Sequence, residues 1–194
     1  MKKLCLLLVA ISLLSGCAES SALIKANSTS LRTDIFEEIT NGGTAPQGYT
    51  ELRITASLKT HKPGIYSSSD IHGTPDYKLL VNVDGQALIL RGNLQQEKTE
   101  PMKLADPEAG EGIRYRFSKT LRMKPGAHKI VVALTDDGVA VERELVLNEG
   151  VVNSLSIEPV YSTKPGKMRP GSFGLTSFME GVRSISLTLN NKEL

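Results

Sequence analysis

The fold of this chain is decided by the stretch from Ile113 to Leu134, which reads IRYRFSKTLRMKPGAHKIVVAL. Apolar and polar residues alternate on both sides of Pro125-Gly126. An alternation with a period of two is typical of strands that bury one face and expose the other. Because Pro-Gly commonly marks a turn, the stretch predicts two β-strands joined by a turn.

The same pattern continues toward the C-terminus. Asp136-Asp137-Gly138 and Glu149-Gly150 separate two further alternating runs, Val139 to Leu147 and Val151 to Tyr161. With the two strands before them, these runs predict a four-stranded antiparallel meander. Arg183 to Leu189 predicts a last strand, which could pair with an early strand and close the sheet or sandwich.

Two strong strand signals precede the meander. Tyr49 to Lys59 alternates with a period of two, and Asp84-Gly85 separates the runs Tyr77 to Val83 and Gln86 to Arg91. Asp-Gly between two such runs is typical of a hairpin with a type I′ turn. The polar segment from Gly92 to Gly112 predicts a long loop.

The region before these strands is less regular. Leu31 to Ile39 fits a short helix, with Thr33 or Asp34 as N-cap and an apolar face of Ile35, Phe36 and Ile39, and it also fits a first strand. Ala18 to Ser30 is small and polar, which predicts a flexible, solvated tether.

The pattern of about eight short strands with almost no helix predicts a mainly β chain. We expect an antiparallel β-sandwich of immunoglobulin-like or transthyretin-like kind. The stretch from Leu121 to Leu134, with Glu144-Leu-Val-Leu147 and Asn148-Glu-Gly150 after it, resembles PEGA-type and related bacterial surface β-sandwich repeats. This resemblance covers roughly Ile113 to Tyr161, and it implies a domain type but no biochemical function.

The N-terminus has the order of an export signal. Met1-Lys2-Lys3 is basic, and Leu4 to Leu14 is apolar but shorter than the roughly 20 residues that a membrane-spanning helix needs. Leu14-Ser15-Gly16-Cys17 resembles the lipobox of bacterial lipoproteins, in which the cysteine thiol is lipidated and the bond before it, here Gly16–Cys17, is cut. An ordinary signal peptide or an uncleaved apolar N-terminus is the alternative.

This resemblance implies three regions. Residues 1–16 would be a cleaved signal peptide, residues 17–48 the lipidated cysteine with its tether and a short N-terminal segment, and residues 49–194 the β-sandwich. Because Ala18 rather than aspartate follows Cys17, the resemblance implies an outer-membrane anchor if the source has two membranes. The expected location is the cell envelope, with lipid on Cys17 as the membrane contact.

Removal of the leader changes the charge and the cysteine content. The chain contains 23 Lys plus Arg and 21 Asp plus Glu, so loss of Lys2 and Lys3 leaves 21 of each. No net positive charge remains to favour nucleic acid as a partner. Cys5 leaves with the leader and Cys17 is lipidated, which excludes disulfides and thiol catalysis in the mature chain.

The segment after the first clear strand concentrates potential metal ligands. His61, Asp70, His72 and Asp76 offer two imidazoles and two carboxylates, which suit a divalent ion such as zinc. A solvated or turn-forming role is the alternative, because the spacing matches no fixed metal signature. His128 lies at a strand start, where we expect a partly buried histidine with a backbone partner.

Basic residues recur on the polar positions of the central strands. They could form a stripe that contacts an anionic lipid, a polysaccharide or an acidic protein surface. The alternative is cross-strand pairing with Glu142 and Glu144. The residues are Arg114, Arg116, Arg122 and Lys124.

The sequence contains no motif typical of an enzyme: no nucleophile elbow, no phosphate-binding glycine loop and no His-Glu-x-x-His helix. We therefore expect a membrane-anchored envelope lipoprotein that acts, without a cofactor, as a non-catalytic binding, scaffold or assembly module. Its partner would be an envelope protein or a polysaccharide. The alternatives are a carbohydrate- or metal-binding surface protein that uses the His61–Asp76 loop and, more distantly, an envelope hydrolase.

Overall fold

The structure is a computed structural model that describes residues 19–40, 45–100, 106–163 and 176–194. The predicted leader, with Gly16 and Cys17, lies outside these residues. Within these described residues, a helix over residues 19–27 is followed by eleven strands and one 3-10 turn. They are β1 (Phe36–Ile39), β2 (Thr50–Thr60), β3 (Lys78–Val83), β4 (Gln86–Arg91), β5 (Asn93–Thr99), β6 (Gly110–Met123), β7 (Gly126–Leu134), β8 (Val139–Leu147), β9 (Val152–Tyr161), η1 (Phe178–Glu180), β10 (Val182–Leu189) and β11 (Lys192–Glu193).

The strands form two sheets around one hydrophobic core. The large sheet has the order β1-β6-β2-β9-β10-β11, with β5 also paired to β6, and the small sheet has the order β4-β3-β7-β8. Alternate residues of both sheets, such as Ile54 and Val132, are fully buried in the same core cluster. The prediction of a mainly β chain with a β-sandwich fold is therefore confirmed.

The predicted four-stranded meander is wrong. β6 pairs with β2 from Thr50↔Met123 to Thr60↔Ile113, whereas β7 pairs with β3 and β8 in the other sheet. β9 returns to the large sheet and runs parallel to β2. Alternation and turn residues indicate where strands begin and end, but a Pro-Gly corner can pass between sheets as readily as it closes a hairpin.

Two other strand predictions have mixed outcomes. The Asp84-Gly85 hairpin is confirmed, with positive φ of 47° and 91° at its two central residues. The last strand is confirmed as β10, but it pairs with β9 and β11 rather than with an early strand. The late-to-early pairing is made by β9 on β2 instead.

The predicted loop from Gly92 to Gly112 is also wrong. Asn93–Thr99 forms β5, which pairs with the first half of β6 in the register Asn93↔Arg116 to Thr99↔Gly110. β5 is mostly exposed on both faces. A strand that buries neither face has no hydrophobic alternation, so its sequence resembles that of a loop.

The segment predicted as a solvated tether is helical over residues 19–27. Ser20, Leu23, Ile24 and Asn27 are half-buried, and their i, i+3, i+4, i+7 spacing forms one helix face. This face lies on the outer side of the small sheet, where the Asn82 side-chain amide donates to the Asn27 carbonyl at 3.0 Å. The tether prediction was wrong because two apolar residues are enough to pack this helix, although the segment is otherwise small and polar.

The helix explains why the centre of the outer face of the small sheet is buried. Leu80, Val131 and Ala133 point away from the main core and are nevertheless buried. After the helix, the Leu31 backbone N–H donates to the Gly85 carbonyl at 2.8 Å. Of the two predicted alternatives for Leu31 to Ile39, the strand is confirmed for Phe36–Ile39. Within the described ranges, no helix is long and apolar enough to cross a membrane.

Candidate functional site

The loop between β2 and β3 connects the two sheets at one end of the sandwich. His61 directly follows β2 of the large sheet, and Tyr77 directly precedes β3 of the small sheet. The loop is held against β6 because the Tyr115 hydroxyl donates to the Thr74 carbonyl at 2.7 Å. It also folds tightly on itself, so that Gly73 lies against the backbone of Pro63. These contacts hold the side chains of the loop in place.

Three of the four predicted metal ligands meet in this loop. The Asp70 carboxylate lies between two imidazoles, with Oδ2 at 2.5 Å from His61 Nε2 and Oδ1 at 2.6 Å from His72 Nδ1. The His72 backbone N–H also donates to Oδ1 at 3.0 Å. One potential ligand atom from each residue lies within 4.8 Å of the others.

Asp137, from the turn between β7 and β8, extends this cluster into the small sheet. Its Oδ1 lies 3.2 Å from His72 Nε2, and its Oδ2 accepts a hydrogen bond from the buried Tyr77 hydroxyl. The result is a continuous polar chain, hereafter the bridging cluster, that joins the two sheets. Its members are His61, Asp70, His72, Asp137 and Tyr77.

The bridging cluster changes the acidity of its members. Burial works to raise the pKa of Asp70, but donors from the His72 backbone and from both imidazoles outweigh it and lower the pKa to about 2. The hydrogen bond to Asp137, with that to Asp70, outweighs burial and raises the pKa of His72 to about 9. Burial and the Asp137 charge raise the pKa of Tyr77 above its ordinary range. These contacts favour the protonated form of His72, whose two ring nitrogens each lie within hydrogen-bond distance of a carboxylate.

An open cleft of about 500 Å³ lies in front of the bridging cluster. Tyr66, which is 55% exposed, packs edge-on against the His61 ring with a centroid distance of 4.6 Å. Its hydroxyl donates to the Met179 carbonyl at 3.0 Å, and Met179 and Glu180 of η1 also line the cleft. His61, Asp70 and His72 line this cleft, with side chains that are 8%, 12% and 19% exposed.

Asp76, the fourth predicted ligand, does not join the cluster. It is exposed, and its backbone N–H donates to the Thr74 hydroxyl at 3.3 Å, which is turn geometry. Asp137 takes part in its place, although the sequence predicted only a turn there. Gly138 alone supplies the positive φ of that turn, at 65°. The turn therefore does not need a second aspartate, and the presence of Asp137 in Asp136-Asp137-Gly138 was the sequence signal that this residue has another role.

The predicted basic stripe is divided among local partners. Arg114 pairs with Glu97 and with Glu108, the latter at 2.5 Å, and is buried. Arg116 binds the Gln95 amide oxygen at 2.6 Å. β5 supplies Gln95 and Glu97 and covers this part of β6. Because the pairing of β5 was not apparent from the sequence, these partners were not predicted.

The other two basic residues also have partners. Arg122 pairs with the buried Glu51 at 3.3 Å, and Lys124 lies over the Tyr49 ring at 3.8 Å. The predicted pairing with Glu142 and Glu144 does not form, because those two residues lie on β8 of the small sheet. Each of the four basic residues therefore has a local contact, while Arg116 and Lys124 remain exposed.

The third histidine is placed as expected. His128 is half-buried, with Nδ1 at 2.7 Å from Asp84 and Nε2 at 2.9 Å from the Lys124 carbonyl. It holds the β3–β4 hairpin against β7 and lies outside the bridging cluster.

A second buried polar group is structural. The Lys59 ammonium is buried, which lowers its pKa, and it donates to the Thr99 hydroxyl and to the carbonyls of Glu108 and Gly110. All three of its protons therefore have acceptors. Lys59 fastens the start of β6 to β2 and to the end of β5.

Comparison of the chain with models of protein families, with curated proteins and with solved structures finds no match. The class that the geometry defines is a two-sheet β-sandwich with a histidine–aspartate cluster at the end where a loop joins the sheets.

Proposed function

We propose that this chain is a membrane-anchored envelope lipoprotein whose β-sandwich is a non-catalytic binding module. The observation that carries the proposal is the bridging cluster at an open cleft. Contacts from both sheets fix its side chains before any ligand arrives, and preorganisation of this kind favours binding. The Asp137 carboxylate holds His72 Nε2, so the His72 ring is oriented before a ligand binds.

The packed N-terminal helix bears on how far from the membrane the anchor would hold the sandwich. Only Ala18 separates Cys17 from the helical residues 19–27, which lie on the small sheet. Lipid on Cys17 would therefore hold the sandwich close to the membrane rather than at the end of a long flexible tether. The partner that reaches the cleft would be another envelope component, either a protein or a polysaccharide, and the outer membrane is the proposed location if the source has two membranes.

Cys17→Ala tests the anchor. We expect the wild-type chain to sediment with membranes and the variant to be released into the soluble fraction, because the variant has no thiol to lipidate at this position. Fractionation followed by immunoblotting measures this distribution. Cys5→Ala is the matched control, because it removes the other cysteine, which lies within the leader. This variant should remain in the membrane fraction.

Retention of Cys17→Ala in washed membranes would contradict the anchor. Equal release of Cys5→Ala would also count against it, because the effect would then belong to the leader as a whole.

A further inference from the structure

We infer that His61, Asp70 and His72 bind one divalent transition-metal ion of the zinc type, with Asp137 and Tyr77 as positioning residues. This inference rests on the proposed binding function and names the ligand of that same site.

The donor set fits such an ion. Two imidazole nitrogens and one carboxylate are borderline ligands that zinc prefers over the all-oxygen sets of calcium and magnesium. Asp70 contacts His61 Nε2 at 2.5 Å and His72 Nδ1 at 2.6 Å. Ligands about 2.0 Å from a tetrahedral zinc lie roughly 3.3 Å apart. Each of these two contacts must therefore open by about 0.8 Å, and the widest pair of donor atoms, which lies within 4.8 Å, must close by up to about 1.5 Å. Rotation of the Asp70 carboxylate and ring movements supply these shifts.

The second ring nitrogen of His72 already has the partner that a metal ligand needs. Metal-binding histidines commonly donate their other N–H to a carboxylate, which fixes the tautomer and the ring orientation. His72 Nε2 lies 3.2 Å from Asp137, and Nδ1 is the nitrogen that faces Asp70. The Tyr77 hydroxyl holds the far oxygen of Asp137 in turn. A turn between β7 and β8 would form without the contact between Asp137 and His72.

The surroundings leave room for an exchangeable ligand. The His61 and Asp70 side chains are only 8% and 12% exposed, so the donors are shielded, yet they line the open cleft beside Tyr66 and Met179. Three protein ligands at a zinc ion leave a fourth position for water or for a donor atom of a partner. The cleft directs that fourth position toward solvent, where a partner group could take it.

Zinc titration of the purified full chain tests this inference. The chain would carry Cys5→Ala and Cys17→Ala, so that no thiol competes for the metal, and it would be kept in mild detergent and stripped with a chelator. Calorimetry with zinc chloride should give one ion per chain. His61→Gln and His72→Gln should each weaken binding at least about 100-fold, and Asp137→Asn about 10- to 100-fold, as expected for a residue that orients a ligand. His128→Gln is the matched control and should bind as the parent does.

A measurement without substitutions covers the case in which a variant fails to fold. The chain has three histidines. In nitrogen-15 NMR spectra of the parent, zinc should shift the ring nitrogens of two of them, His61 and His72, and leave those of His128 unchanged. Absence of stoichiometric binding, or equal shifts at all three histidines, would overturn the metal site. The anchor test with Cys17→Ala is independent, so failure of zinc binding with normal membrane attachment would remove the ligand and leave the anchored module.

Discussion

Gly73→Ala should reduce the free energy of unfolding by about 3 kcal/mol and displace both histidines of the bridging cluster. A Cβ at this position would lie 2.6 Å from Pro63 Cδ, 2.8 Å from Pro63 N and 2.9 Å from the His61 carbonyl oxygen. Two of these atoms belong to the backbone and cannot move without shifting the whole loop. Gly73 also has a φ of +77°, which side-chain-bearing residues adopt at a cost.

Gly64→Ala is the matched control for this prediction. Gly64 lies in the same loop with the same φ of +77°, but a Cβ there would have no heavy atom within 4 Å. It should therefore cost only the backbone term, about 1 kcal/mol. Urea denaturation of both variants measures the difference. Equal losses would contradict the close packing of Gly73 against Pro63 and His61.

Raising the pH from 6.5 to 9 should destabilise the chelator-treated protein by at most about 3 kcal/mol. The pKa of His72 rises from 6.5 in the unfolded chain to about 9 in the fold. A group with a raised pKa contributes its full stability below its unfolded pKa and loses it as the pH climbs through the folded pKa. The groups that face His72 are Asp70, Asp137 and the rings of His61 and Tyr77.

Asp70 is responsible for the loss of stability at acidic pH. Its pKa falls to about 2 in the fold, so its contribution is present above about pH 4 and is lost as the pH drops toward 2. Urea midpoints across both ranges measure the profile. His72→Gln should flatten the alkaline limb and His128→Gln should preserve it. An alkaline limb that survives His72→Gln unchanged would assign the effect to other groups.

Local sequence patterns predicted most of the strands but not which strands pair with one another. β2 and the β3–β4 hairpin were predictable, because alternation and Asp-Gly chemistry act over a few residues. The pairing of β6 with β2, and of β9 with β2 in parallel, depends on which face of the core each strand covers. β5 escaped detection because an edge strand exposed on both faces has no apolar period.

The candidate site was predictable to the same extent. His61, Asp70 and His72 lie within twelve residues of one another in sequence, so their meeting in one loop could be anticipated. Asp137 and Met179 reach the same place only through the sandwich, which brings the β7–β8 turn and η1 beside that loop. Asp76 is nearer in sequence, but it faces solvent. Closeness along the chain was therefore a poor guide to the fourth member of the cluster.

We propose that the cleft beside the bridging cluster is the binding end of an anchored module. Site-specific photocrosslinking in intact cells tests it most directly, with a photoreactive phenylalanine at position 66 in the cleft. The control position is Val146, which is similarly exposed, at 62%, but lies near the far end of β8 from the β7–β8 turn. We expect a discrete envelope adduct from position 66 that is absent from position 146 and lost with Cys17→Ala. Identical adducts from both positions, or none from position 66, would contradict it.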